Sequence, residues 1–244
     1  MLLAVDIGNT NISCGIFNKN KLTKTIDIPT KLYASKKLLK FIGYLKITDT
    51  LICSVVPKLT GLLTKDLVKA TGKNPYIIGK DIKVPIENLY RQPKQVGQDR
   101  LVNAYAGAKL YGLPLVVVDF GTAITFDAIS KSGAYEGGLI LPGIGISIDV
   151  LKQRTALLPK INLNIPKEFI GKDTTNSILS GIVYGFAAMT KQLNIQLIKK
   201  LGKKTHIIAT GGNAKLMRKY CSNINQVDNL LTLKGINFIY KKTS

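Results

Sequence analysis

The apolar positions fall into two kinds of pattern. Leu2-Leu3-Ala4-Val5 is a short unbroken run that stops at Asp6 and Gly8, as a buried strand does at a turn. "NISCGIF" and "KLTKTIDIP" follow as further strands of a meander, and "DTLICSVVP" is another buried strand, stopped by Pro57. Helical spacing takes over elsewhere. It runs over about 33–45 (Leu38, Leu39, Ile42, Leu45), in "KLTGLLTKDLVKAT" up to Gly72, and in "DRLVNAYAGAKLYG", with Asp99 near its start and Gly112 beyond its end. "PYIIG" is a short strand. The second half predicts helices over about 145–157 and 176–201, a strand at "HIIATGGN", and helices at "AKLMRKYC" and "LLTLKGINFIYKK". Strands alternating with helices give an α/β class.

The second half also echoes the first. Val5-Asp6-Ile7-Gly8 lies over Val118-Asp119-Phe120-Gly121, and Ile16 over Ile129, at an offset of 119 − 6 = 113. Each copy reads strand, acid, any residue, glycine, small polar residue, strand. One Asp-x-Gly is common by chance, but two copies with the same flanks point to duplicated subdomains. The expected boundaries are 1–112 and 113–244, with a cleft between the halves as a place for ligands.

Composition narrows the classes. No basic, apolar leader opens the chain, and the apolar stretch near "GGLILPGIGISIDVL" is broken by Pro142 and glycines, so neither a signal peptide nor a membrane span is expected. Cys14, Cys53 and Cys221 are odd in number and far apart, which fits a reduced cytoplasm and not a disulfide framework. With His206 the single histidine, a Cys/His zinc site is not expected, and His206 itself reads as a strand-packing residue. The net charge of +21 raises a nucleic-acid partner. The lysines are scattered, however, and lack interleaved aromatics, which argues against it.

The loop Asp6-Ile7-Gly8-Asn9-Thr10-Asn11 is too long and too polar for a plain two-residue hairpin. A carboxylate at a strand end can hold Mg²⁺, directly or through water, and Gly8 with Asn9, Thr10 and Asn11 offers close approach and donors to phosphate oxygens. The competing reading is a turn closed by its own Asp6. The second copy favours phosphate binding. Neither a Walker loop nor a G-x-G-x-x-G fingerprint is present, so a nucleotide would be held by paired hairpins. Gly211 and Gly212 of "ATGGN" fit as a flat surface for an adenosine.

Paired Asp-Gly hairpins with a late Gly-Gly turn resemble the superfamily of sugar kinases and actin. "YRQPKQVGQDR", "DFGTAITFD", "GGLILPG", "RTALLP" and "IGKDTTNSILSG" together resemble type III pantothenate kinase, over essentially the whole chain. That resemblance implies two actin-like (ribonuclease H-like) subdomains and a homodimer with its active site at the interface. It implies phosphorylation of pantothenate by ATP to 4′-phosphopantothenate, the first step towards coenzyme A. It implies Asp99 as catalytic base within a pantothenate-binding Gly97-Gln98-Asp99-Arg100, with Tyr90 and Thr174 also on pantothenate and Thr122 on ATP. Asp119 would hold a monovalent cation, K⁺ or NH₄⁺. Gln98 stands where the family often has Ala. Some family members resemble a transcriptional accessory factor, which leaves a non-catalytic, nucleic-acid-associated role as the alternative. Retention of Asp6, Asp99 and Asp119 favours the kinase.

Overall fold

The computed structural model describes residues 1–243. The chain begins with β1 (Leu2–Ile7), β2 (Asn11–Asn18) and β3 (Lys21–Pro29), the expected meander, then α1 (Ser35–Ile42), β4 (Asp49–Ser54), α2 (Pro57–Thr71) and β5 (Tyr76–Ile77). Next come α3 (Gln98–Tyr111), β6 (Leu115–Phe120), β7 (Ala123–Ile129), β8 (Tyr135–Pro142), α4 (Ile144–Arg154) and α5 (Thr174–Leu201). β9 (His206–Thr210), α6 (Ala214–Arg218), β10 (Gln226–Val227) and α7 (Leu231–Thr243) complete it. Pro57 opens α2, where its missing N–H costs nothing, and Gly72 ends it in the left-handed region at φ +72°.

Two units form. One comprises residues 1–86, 91–106 and 230 onward; the other comprises 87–90 and 107–229. The units are not consecutive halves: α3 is divided after Ala106, not after Gly112, and α7 belongs to the first unit. The sheets have the same order, β3-β2-β1-β4-β5 in one and β8-β7-β6-β9-β10 in the other. In each, the first two neighbours of the lead strand pair antiparallel on one side and parallel on the other.

One detail of the echo is corrected. Three residues, Gly8 to Thr10, join β1 to β2, whereas only Gly121 and Thr122 join β6 to β7. The shorter turn slides the second strand by one residue. Ile16 pairs with Leu3, and the partner of Val116, which lies at the offset of 113 from Leu3, is Ala128 and not Ile129.

Both faces of each sheet are covered. In the first unit Leu3, Val5, Ile7 and Ile52 pack with Leu38 and Ile42 of α1 and with Leu63 and Leu67 of α2. The opposite face, with Leu2, Ala4, Leu51 and Cys53, packs with Val102 and Tyr105 of α3 and with Leu233, Ile236 and Ile239 of α7. In the second unit Val116, Val118, Phe120, Ile124 and Phe126 pack with Ile144, Ile148, Ala187 and Met217. His206 opens β9 but its side chain is exposed, so the packing role expected of it is not found. No helix among the described residues is long and apolar enough to cross a membrane.

The crossing of α7 on α3 depends on Gly235. A Cβ there would lie 2.6 Å from Val102 Cγ1 and 2.8 Å from the Val102 carbonyl oxygen. Gly235→Ala is expected to destabilise the protein by about 1–3 kcal/mol through overpacking, read as a lower urea midpoint. An unchanged midpoint would contradict this packing.

Candidate active site

In the first unit the chemistry gathers at the carboxyl ends of β1 and β4. Asp6 is the penultimate residue of β1 and lies beside Cys53 on parallel β4, with Ser13 of β2 on its other side. Crevices at such strand ends are the usual ligand sites of open α/β sheets. The following turn is pinned: Gly8 N–H donates to the Asn11 carbonyl at 2.9 Å, Thr30 Oγ1 to the Gly8 carbonyl at 2.7 Å, and Thr30 N–H to the Thr10 carbonyl at 2.8 Å. Asn9, Thr10 and Asn11 are exposed on this fixed frame. Ile7 is fully buried in the core, so of that residue only the backbone can serve a ligand.

Asp99 sits in the first turn of α3, three residues before Val102, which packs on the sheet beside Cys53. Its Oδ1 accepts the Arg100 N–H at 2.9 Å. Gly97 is explained by this carboxylate: a Cβ there would overlap Asp99 Oδ1. Gln98 lays its side chain over Gly79, whose φ is +86°. Arg100 is buried. Burial pushes the Asp99 carboxyl above its ordinary range, against the opposing pull of the Arg100 N–H and guanidinium. Burial also drives the Cys53 thiol well up, and the nearby charges of Asp6 and Asp99 add to it. The charges of Asp6, beside Cys53 on the neighbouring strand, and of Asp99, in the first turn of α3, are thus both felt at the Cys53 thiol. Cys14, pushed up to about 12 chiefly by burial, is likewise an inert thiol.

The second unit repeats the plan. Asp119, penultimate in β6, is flanked by Thr125 of β7 and by Thr210 of parallel β9. Gly211, at φ +88°, leaves no room for a side chain: a Cβ would overlap Asp119 Oδ1 and lie 2.7 Å from the Phe120 carbonyl carbon. Asn213 N–H donates to the Phe120 carbonyl at 3.2 Å, which ties the Gly-Gly turn to the end of β6. The two glycines therefore differ. Gly211 packs on Asp119, and Gly212 has open space where a Cβ would stand. Thr122 is exposed on the turn. Tyr90 lies over Gly137 of β8, 3.5 Å from where a Cβ would be.

Several residues escaped the sequence reading. Gly143, at the start of α4, must be a glycine because a Cβ would overlap the Thr122 carbonyl oxygen, so α4 buttresses the second turn. Asp173 caps α5 by accepting the Asn176 N–H at 2.7 Å, which holds its carboxyl below the usual range. Thr174 is the exposed first residue of that helix. Asp127 is wholly buried and accepts the Tyr135 hydroxyl at 2.8 Å and the Thr125 hydroxyl at 3.0 Å. An acid alternating with apolar residues in a strand was the available signal.

Two α/β units with the same strand order and acids at equivalent strand ends form an actin-like fold. Solved structures agree on that fold. The (R)-2-hydroxyglutaryl-CoA dehydratase component A of Acidaminococcus fermentans superposes with a TM-score of 0.59 at 12% identity, covering 99% of this chain and 98% of that one. A Campylobacter jejuni protein named for the Baf family of transcriptional activators gives 0.61 at 23% identity, with 99% and 98% covered. At such identities these show the fold alone. A sequence model of the type III pantothenate kinase family matches residues 2–196. The type III pantothenate kinase of Moorella thermoacetica is 39% identical over 100% of both chains, and that of Persephonella marina 40% over 98% of both. The chain belongs to the type III pantothenate kinase family, and it is a kinase.

The raised Asp99 carboxyl has a consequence for stability. A folded carboxyl above its unfolded value binds more protons in the folded state. Stability is then lost as pH rises from the unfolded titration through the folded one. Asp99→Asn removes that cost, so it should melt at or above the wild-type temperature at pH 7, with the advantage vanishing at pH values where both states are protonated. A lower melting temperature for Asp99→Asn at pH 7 would contradict the assignment.

Proposed function

We propose that this chain moves the γ-phosphoryl group of ATP to the primary alcohol of pantothenate, yielding ADP and 4′-phosphopantothenate on the route to coenzyme A. The observation that carries the reading is the pair of acids whose charges both reach Cys53, Asp6 at the end of β1 and Asp99 in the first turn of α3, in a chain whose relatives are named type III pantothenate kinases. Phosphoryl transfer needs mainly positioning and charge stabilisation. A carboxylate within reach of the attacking hydroxyl supplies the remaining need, a place for its proton.

Asp99 takes that role. Its raised carboxyl brings its proton affinity closer to the working pH, which favours proton acceptance. Gly97 and Gln98 hold the turn that presents it, and Arg100 gives a guanidinium suited to the pantothenate carboxylate. Tyr90 and Thr174 are the further pantothenate contacts. The turn from Asp6 to Asn11 takes ATP phosphates, with Asp6 directed to the Mg²⁺ that accompanies ATP and neutralises phosphate charge. Thr122 and the Gly211–Gly212 turn serve ATP, Gly212 offering the open face. Asp119 suits a monovalent cation such as K⁺ or NH₄⁺, because the Cβ-less Gly121 and Gly211 leave its carboxylate closely cradled: a Cβ on Gly121 would be 3.2 Å from its Oδ1.

A homodimer and a cytoplasmic location complete the proposal. The exposed face of α5 carries an apolar hollow of about 160 Å³ lined by Gly181, Ile182, Gly185, Phe186 and Met189, suited to a second copy. The nucleic-acid alternative has only the net charge and one distant neighbour's name behind it.

The test is ADP release from MgATP with and without pantothenate, in K⁺ and then in Na⁺. Release that needs both pantothenate and K⁺ is expected, and Asp99→Asn should lower kcat by about 10²–10⁴-fold. Pantothenate-independent release, or a wild-type kcat for Asp99→Asn, would overturn the reading. Gly185→Arg should give a monomer by light scattering; a dimer would move the interface elsewhere.

A further inference from the structure

The two strand-end acids share a feature that phosphate binding alone does not call for. Across the hairpin from each stands a hydroxyl: Ser13 opposite Asp6, and Thr125 opposite Asp119. In both cases the hydroxyl proton is committed to another carboxylate. Ser13 Oγ donates to Asp27 Oδ1 at 2.6 Å, and Thr125 Oγ1 donates to Asp127 Oδ2 at 3.0 Å. The accepting acids come from different places. Asp27 lies one strand further out, on β3, whereas Asp127 lies two residues along β7 itself. Different pieces of sequence therefore reach the same local arrangement.

The chemistry of a hydroxyl gives this arrangement a meaning. It has one proton and two lone pairs, and an ionised carboxylate only accepts. Once the proton is given to Asp127, Thr125 can offer its other neighbours lone pairs alone. Directly opposed residues on antiparallel strands share a face, with Cβ atoms about 4.5–5.5 Å apart. The Thr125 side chain thus shares a face with Asp119, and its oxygen, with the proton given to Asp127, has only lone pairs to offer a cation held there. Asp127 is fixed in turn. It is fully buried, and its Oδ1 takes the Tyr135 hydroxyl at 2.8 Å. A buried carboxylate is costly unless well hydrogen-bonded. The β7–β8 ladder already joins these strands without it.

We infer that Thr125 Oγ1 is a second protein oxygen for the monovalent cation assigned to Asp119, and that Asp127 is the positioning residue that aims its lone pairs. This rests on the cation role proposed above for Asp119. Hard cations favour sets of carboxylate, carbonyl and hydroxyl oxygens, and groups that orient such ligands matter nearly as much as the ligands. Asp127→Asn is the informative change. Its amide N–H₂ would donate to Thr125 Oγ1 and free the hydroxyl proton to turn towards the cation, while leaving the volume filled.

The test reads binding and not turnover. The melting temperature of the full chain is followed against KCl at constant ionic strength, balanced with tetramethylammonium chloride, in the presence of MgADP; a ligand of the folded state raises it by mass action. Wild type and Thr125→Ser should share one KCl midpoint. Thr125→Val and Asp127→Asn should need about tenfold more KCl or higher. Thr125→Ala replaces Thr125→Val if the valine variant does not fold. If wild type shows no KCl response, or Asp119→Asn keeps it, the cation reading of Asp119 itself fails. If Asp119→Asn loses the response while Thr125→Val, or Thr125→Ala in its place, keeps the wild-type midpoint, the inference fails and the reading of Asp119 stands. A uniform drop in melting temperature for Asp127→Asn, at the wild-type midpoint, would make Asp127 structural only and overturn its positioning role.

Discussion

Each unit depends first on one parallel strand pair, β1 with β4 in the first and β6 with β9 in the second. Parallel pairing puts two strand ends side by side at one edge of a sheet, where the ladder stops and backbone groups and side chains become available together. An acid placed one residue before that edge is supported on both sides and still reaches out of the core. Asp6 between Ser13 and Cys53, and Asp119 between Thr125 and Thr210, are the two instances. In each unit the neighbouring turn is arranged around that carboxylate.

Glycine sets the distances. Gly97 lets the Asp99 carboxylate fold back against its own turn, Gly211 lets a turn lie on Asp119, and Gly143 lets α4 meet the second hairpin. In each case the space a Cβ would take is filled by an oxygen of the site or its turn. Glycines in a strand–turn–helix chain are often ascribed to flexibility. Here the requirement is close approach, and only Gly211 of the three also has a positive φ. The resulting parts are held rather than loose, which suits a reaction catalysed mainly by positioning.

Much of this was legible in the sequence, for definite reasons. Short apolar runs ending in Asp-x-Gly marked β1 and β6, because a buried strand and its exit are both local features. The helix of Asp99 was legible from the acid near its start and the apolar spacing that follows. What was not legible required knowledge of pairing. The overlay of Ile16 on Ile129 failed because a turn one residue shorter shifts a whole strand, and no single-residue pattern reports turn length. His206 was misplaced because a strand's first residue stands outside the core even when its neighbours are buried. Asp27 and Asp127 went unassigned because their partners, Ser13 and Tyr135, become neighbours only once strands are registered. Ile7 belonged to the right loop but faces the core.

The net charge of +21 finds a modest place in this account: a basic surface concentrates anionic substrates such as nucleotides and carboxylic acids. The role proposed for Asp6, at the end of β1, is to govern the metal-bound nucleotide. Calorimetric titration of ADP into wild type and Asp6→Asn, with and without Mg²⁺, tests it most directly. Wild type should bind ADP more tightly with Mg²⁺ present, and Asp6→Asn should lose that difference while keeping its fold. An undiminished Mg²⁺ effect in Asp6→Asn would contradict the claim.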